Sequence, residues 1–154
     1  MKKLIPIAVG TLLCLGVGVV ASLFQKDSIQ NWYPTLKKPS VTPPNIAFPI
    51  AWNILYVCMG TSIGLIWKMK SPQRDRVVRL FALQLLLNFG WSISFFYCRS
   101  PWAGMVNILL LDALILRYMR QSYQLNKASS WLFAPYLTWT LFATYLNGYI
   151  LAHN

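Results

Sequence analysis

The side chains that could do covalent chemistry are few and scattered in this chain of 154 residues. The acids are Asp27, Asp75 and Asp112, the only histidine is His153, and the cysteines are Cys14, Cys58 and Cys98. No paired carboxylates, nucleophile–base set or phosphate loop can be assembled from them. No CxxC or Cys/His spacing exists, so a metal site is not expected. Histidine ligation of haem from within an apolar run is excluded. What remains is aromatic and amide chemistry at helical spacing. Asn88, Trp91 and Ser92 fall at i, i+3 and i+4 and share one face. Trp52 and Tyr56 are i, i+4, and Trp139, Ala143 and Asn147 form a stripe with Tyr136 and Thr140 alongside. Such stripes either glue helices through hydrogen bonds or line a pocket for a large, flat, aromatic ligand.

The elements that must hold those stripes follow from composition. The chain is 56% hydrophobic and 11% charged, far from a soluble domain with about 25% charged residues. The apolar residues fall in five segments, 4–24, 46–67, 77–98, 101–119 and 130–152, each of a length that crosses a hydrocarbon core about 30 Å thick as a helix. The expected fold class is an all-α integral membrane protein, a single membrane domain over 1–154. It is a five-transmembrane-helix bundle with a long structured loop, 25–45, between the first two helices. Residues 4–24 are too long for a signal-peptide core and read as an uncleaved helix.

The +11 net charge sits at the ends of the apolar runs, which argues for headgroups and against nucleic acid. One side carries Lys2, Lys3, Lys68, Lys70, Arg74, Arg76, Arg79, Arg117, Arg120 and Lys127; the other carries Lys26, Lys37, Lys38 and Arg99. The expectation is a bacterial inner-membrane protein with its N-terminus cytoplasmic and its C-terminus outside.

Three further features leave alternatives open. In the loop, Pro39, Pro43 and Pro44 stiffen the backbone and Trp32, Tyr33 and Leu36 give it an apolar underside, so it is either a lid or a headgroup-level aromatic belt. Asp112 lies near the midplane, where a charge costs at least about 2.5–3.5 kcal/mol; it is either proton-linked or a structural hydrogen-bond partner. The Gly60–Gly64 pair is a GxxxG match, marking either a dimer face or close packing inside the bundle.

Together these stretches resemble the TspO/MBR family, also known as translocator proteins, tryptophan-rich sensory proteins or peripheral-type benzodiazepine receptors, in a bacterial-type member. The matching pieces are "WYPTLKKPSVTPP" at 32–44, "FPIAWNILYVCMGTS" at 48–62, "LLLNFGWSISFF" at 86–96, Asp112, and "APYLTWTLFATYLNGYI" at 134–150. The resemblance implies a five-helix bundle, a homodimer, and a membrane receptor or sensor binding protoporphyrin IX and isoquinoline carboxamide or benzodiazepine-type ligands. No cofactor is required. Carried onto this chain, the ligand-binding residues would be Tyr33, Pro43, Pro44, Trp52, Asn88, Trp91, Trp139, Phe142, Ala143 and Leu146. Lys37 and Lys38 are candidates for the porphyrin propionates. The alternative is light-dependent porphyrin degradation, for which Trp52 and Trp139 would be the catalytic residues. A transporter of tetrapyrroles or other hydrophobic molecules is the third expectation, although neither inverted repeats nor paired broken helices are visible. Cholesterol is doubtful, because Tyr145 is followed by "LNGYILAHN" with no Lys or Arg.

Overall fold

In lipid a helix satisfies its own backbone polar groups, so long uncharged runs fold as helices. The computed structural model describes residues 1–154 and contains no strand. The helices are α1 (Ile5–Asn31), α2 (Ala47–Trp67), α3 (Arg74–Trp91), α4 (Pro101–Leu125), the short α5 (Lys127–Trp131) and α6 (Ala134–His153). A π-helical turn, Ser92–Tyr97, extends α3. The segments Ile5–Asn31, Ala47–Trp67, Arg74–Tyr97 and Pro101–Leu125 are long and apolar enough to cross a membrane. The expected fifth span is not in that group. α6 has 20 residues and no Lys, Arg, Asp or Glu, but Thr138, Thr140, Thr144 and Asn147 dilute its apolar character.

Helix ends depart from the sequence expectation where polar residues continue a helix beyond its apolar run. α1 does not stop at residue 24. Its 27 residues reach about 40 Å at 1.5 Å per residue, and its last turns are tied to the end of α3. Gln25 donates to Ser92 Oγ at 2.7 Å, Ser28 donates to the Phe96 carbonyl, and Asp27 pairs with Arg99. Residues 25–31 therefore belong to the helix, and the connector is 32–46. α4 continues past 119 because Tyr118 and Ser122 stay buried while Arg117 and Arg120 face out. The expected run 130–152 is split by a turn at Leu132–Phe133. Pro135, which brings no amide donor, sits in the first turn of α6, where none is needed.

The short α5 is held by a buried hydroxyl cluster. Ser62 Oγ lies 2.8 Å from both Tyr118 Oη and Ser129 Oγ, and Ser129 Oγ donates to the Ser62 carbonyl at 3.0 Å. Around it pack Phe81, Phe133 and Tyr118, with the last two rings 4.3 Å apart. A smaller core at the opposite end joins Tyr33, Phe95, Phe96 and Ile150.

α1 packs most extensively against α2, and glycine makes that possible. A Cβ on Gly60 would lie 2.2 Å from Thr11 Cα, and one on Gly64 would lie 2.5 Å from Ile7 Cα. Gly10 answers from the other side, with a Cβ position 2.6 Å from the Gly60 carbonyl oxygen. The GxxxG pair is thus consumed within the bundle and is not free to serve as a dimer face. Gly60→Ala should force the two backbones apart and cost about 1–3 kcal/mol, read as a lower melting temperature in detergent. Gly16, whose Cβ would meet nothing within 4 Å, is the internal comparison, and Gly16→Ala should leave the melting temperature equal or higher.

Candidate ligand-binding site

Past the glycine contact, α1 and α2 enclose a cavity of about 590 Å³. Ligand sites of roughly 300–1,000 Å³ are usual for drug-sized molecules. One wall is α1, through Gly18, Ala21, Ser22, Gln25 and Ile29. The facing wall is the start of α2, with Phe48, Trp52, Asn53 and Tyr56. Asn88 and Trp91 of α3, then Ser92 and Phe96 of the π-helical turn, form the floor, and Tyr33 closes the loop end. Gly18 is needed here for space: a Cβ would fall 2.4 Å from the Tyr56 ring.

The cavity is aromatic, contains no charged side chain, and ends on a buried polar relay. Tyr56 Oη donates to Asn88 Oδ1 at 3.1 Å, and Asn88 Nδ2 donates to Tyr136 Oη at 2.8 Å. Tyr136 in turn donates to Gln84 Oε1 at 2.9 Å. The relay spans α2, α3 and α6 and pairs Tyr56, Asn88, Tyr136 and Gln84 with one another, as a dry interior demands. Trp91 Nε1 donates to Asn147 Oδ1 at 3.2 Å, and Asn147 Nδ2 donates to the Pro101 carbonyl at 2.7 Å. Trp91 also stacks on Phe95 at 5.2 Å, so its ring is fixed. Trp52, by contrast, makes no hydrogen bond through its indole N–H. It is the one wall tryptophan with a donor to offer.

The π-helical turn shapes the floor. Its wider winding lets the adjacent residues Phe95 and Phe96 both face inward, their rings 4.9 Å apart. Such single turns interrupt helices at functional sites more often than elsewhere.

The connector 32–46 folds onto this end of the bundle. Tyr33 is buried, its ring 5.8 Å from Phe96 and 6.5 Å from Phe48, and Trp32 packs on Phe95 at 5.5 Å. Desolvation by this packing raises the Tyr33 hydroxyl pKa above its ordinary value. Lys38 Nζ turns inward, donating to the carbonyls of Tyr33 and Leu36 at 2.7 and 3.2 Å and lying 4.6 Å from the Tyr33 ring centre. Desolvation lowers its pKa from the ordinary lysine value. Asn154 clasps the loop from α6: its Oδ1 accepts from the Lys37 amide at 2.9 Å and its Nδ2 donates to the Lys37 carbonyl at 3.0 Å.

Of the expected ligand-binding residues, Tyr33, Trp52, Asn88 and Trp91 line the cavity together. Pro43 and Pro44 do not; the chain turns back there, and their neighbours Asn45 and Ile46 form the rim instead. The α6 set is displaced as well. Trp139 reaches the cavity only through Phe48, whose ring it meets at 5.8 Å, and Phe142 lies beside Trp139 at 5.9 Å. Ala143 and Leu146 are buried in the helix interface. Lys38 is occupied by loop carbonyls, and the Lys37 side chain is exposed outside the cavity. Asp112 does not line the cavity and is buried on α4. Its Oδ2 accepts from Thr144 Oγ1 at 2.7 Å, while Oδ1 has no partner.

The α1 wall went unread in the sequence. Its signal is the small and polar stripe Gly18, Ser22 and Gln25, spaced i, i+4 and i+7 along a largely aliphatic helix, with Ile29 continuing the same face.

Comparison with known proteins converges on one group. The TspO/MBR family matches residues 10–153. The tryptophan-rich protein TspO of Chlorobaculum tepidum is 43% identical over 99% of this chain and 98% of its own length. The translocator protein of Homo sapiens is 33% identical over 96% of this chain and 89% of its own. Protein CrtK of Rhodobacter capsulatus is 30% identical over 91% and 87%.

Two substitutions test the architecture of the site. Asn88→Ala leaves Tyr56 without an acceptor and Tyr136 without a donor, which should cost about 0.6–2 kcal/mol, measured as a fall in melting temperature. Asn154→Ala should release the loop, seen as faster hydrogen exchange at the Lys37 amide with exchange in α2 unchanged.

Proposed function

Because the chain belongs to the TspO/MBR family and is an integral membrane protein with a receptor, sensor or transporter role, we propose that it is a receptor for a flat tetrapyrrole. The ligand is protoporphyrin IX, seated between α1 and the α2–α3 wall. The supporting observation is the cavity itself, uncharged and walled by Tyr33, Phe48, Trp52, Trp91 and Phe96. A porphyrin is a planar π-system that such rings can stack against, and the unpaired Trp52 indole N–H can hydrogen-bond a ring substituent. Its propionates would leave through the rim toward the aqueous side, where Lys37 is exposed. The same walls suit isoquinoline carboxamide and benzodiazepine-type compounds. In this reading α6 is the fifth span: its 20 residues cover about 30 Å at 1.5 Å each, with Tyr136, Thr140 and Asn147 turned into the bundle. The N-terminus faces the cytoplasm and the 32–46 loop is a lid on the outer side, as the basic residues favour.

A second reading rests on Trp52. An indole in the cavity wall, tilted 5.7 Å from Tyr56, would be placed to react with an illuminated porphyrin, giving light-dependent degradation.

Protoporphyrin IX titrated into the detergent-solubilised protein should quench tryptophan fluorescence saturably. Ser22→Trp, which places an indole in the cavity mouth, should weaken binding by at least about tenfold, or 1.4 kcal/mol. Trp139→Phe should change affinity by less than about twofold. The reverse order would place the ligand against α6 and sink this site. If degradation occurs, loss of porphyrin absorbance under light should slow in Trp52→Phe but not in the dark.

A further inference from the structure

A second groove, of about 570 Å³, lies apart from the aromatic cavity, between the start of α3 and the last turns of α4. Gln73, just before α3, and Arg76 of α3 line one side, and Leu116, Arg117, Arg120, Gln121 and Gln124 of α4 the other. Its three guanidinium groups have no counter-charge within the chain. Of the three carboxylates, Asp75 pairs with Arg74 and Asp27 with Arg99, while Asp112 is buried against Thr144. Arg76, Arg117 and Arg120 take part in no ion pair and no side-chain hydrogen bond. Three like charges converging on one concavity repel unless an anion joins them.

The chemistry of that anion can be read from the lining. Arginine presents a planar fork of donors that matches phosphate oxygens two at a time, and the glutamine amides add neutral donors. Leu116 puts an apolar surface between the arginines, and exposed Leu83, Leu86, Leu109 and Leu110 continue along the same two helices toward the middle of the membrane. We propose that this groove binds a phosphate group, and that the phosphate is the headgroup of an anionic phospholipid whose acyl chains lie along α3 and α4. A free organic phosphate offers the same charge but has no use for the leucines. The groove lies on the side that carries Lys2, Lys3, Lys68 and Lys70, so one leaflet would be selected.

The test is lipid binding by native mass spectrometry of the full chain released from nanodiscs, comparing phosphatidylglycerol with phosphatidylcholine. The expected result is a preference for phosphatidylglycerol of about tenfold, near the effect of one to two basic residues at the surface. Arg76→Gln/Arg117→Gln/Arg120→Gln should abolish it, while Lys2→Gln/Lys3→Gln/Lys70→Gln, with the same change in net charge, should keep it. Arg117→Gln alone gives the same reading at smaller amplitude should the triple variant unfold. No preference in the wild type, a preference retained without the arginines, or an equal loss in the lysine variant would each overturn the site. Glycerol 3-phosphate added in detergent separates the sources: if it occupies the groove as tightly as phosphatidylglycerol, the lipid assignment fails.

Discussion

The backbone contact between α1 and α2 is the constraint on which the rest of the structure depends. At Gly10, Gly60 and Gly64 the helices approach until no Cβ fits between them. One turn or two farther on, the same pair is separated by the width of the cavity, with Tyr56 against Gly18 at the point of divergence. The pair is a wedge pinned at its narrow end. Dispersion and close packing supply that pin in lipid, where there is no hydrophobic drive between helices. Its position fixes how wide the opening can be at the other end, and the loop and the π-helical turn close that end.

A wedge lined by rings would still collapse or fill with misplaced side chains without a polar framework behind it. Tyr56, Asn88, Tyr136 and Gln84 provide one behind the α2–α3 wall, and Trp91, Asn147 and the Pro101 carbonyl provide another at the floor. Each bond is modest by itself, about 0.6–2 kcal/mol in a bundle. The larger effect is exclusion of alternatives, because any rotation of α3 or α6 would leave several amides and hydroxyls unpaired in a dry interior. Trp52 alone among the cavity tryptophans of α2 and α3 is left out of this framework, which is why the proposed ligand contact falls on it.

The long apolar runs made the major helices readable from sequence, since charge-free segments of that length have few alternatives. Their ends were not readable, because Gln25, Lys26 and Asp27 look like a loop yet stay helical through bonds to Ser92 and Arg99, sixty or more positions away. The break at Phe133 and the π-helical turn likewise depend on tertiary contacts. Within the site, Trp52, Asn88 and Trp91 were legible as stripes, and Tyr33 came with the proline-rich loop. The α6 stripe was equally legible but faces its neighbours, since periodicity identifies a buried face without saying what covers it. Lys38 illustrates the same limit: a lysine in a loop suggests a surface charge, whereas here it holds the loop's own carbonyls.

A structure of the protein with protoporphyrin IX bound measures the location of the ligand directly. The macrocycle should lie between α1 and α2, one face toward Trp52 and the other toward the Gly18–Ser22–Gln25 stripe, with its propionates at the rim near Lys37. A macrocycle seated against Trp139 and Phe142 of α6, with the α1–α2 wedge empty, would contradict it.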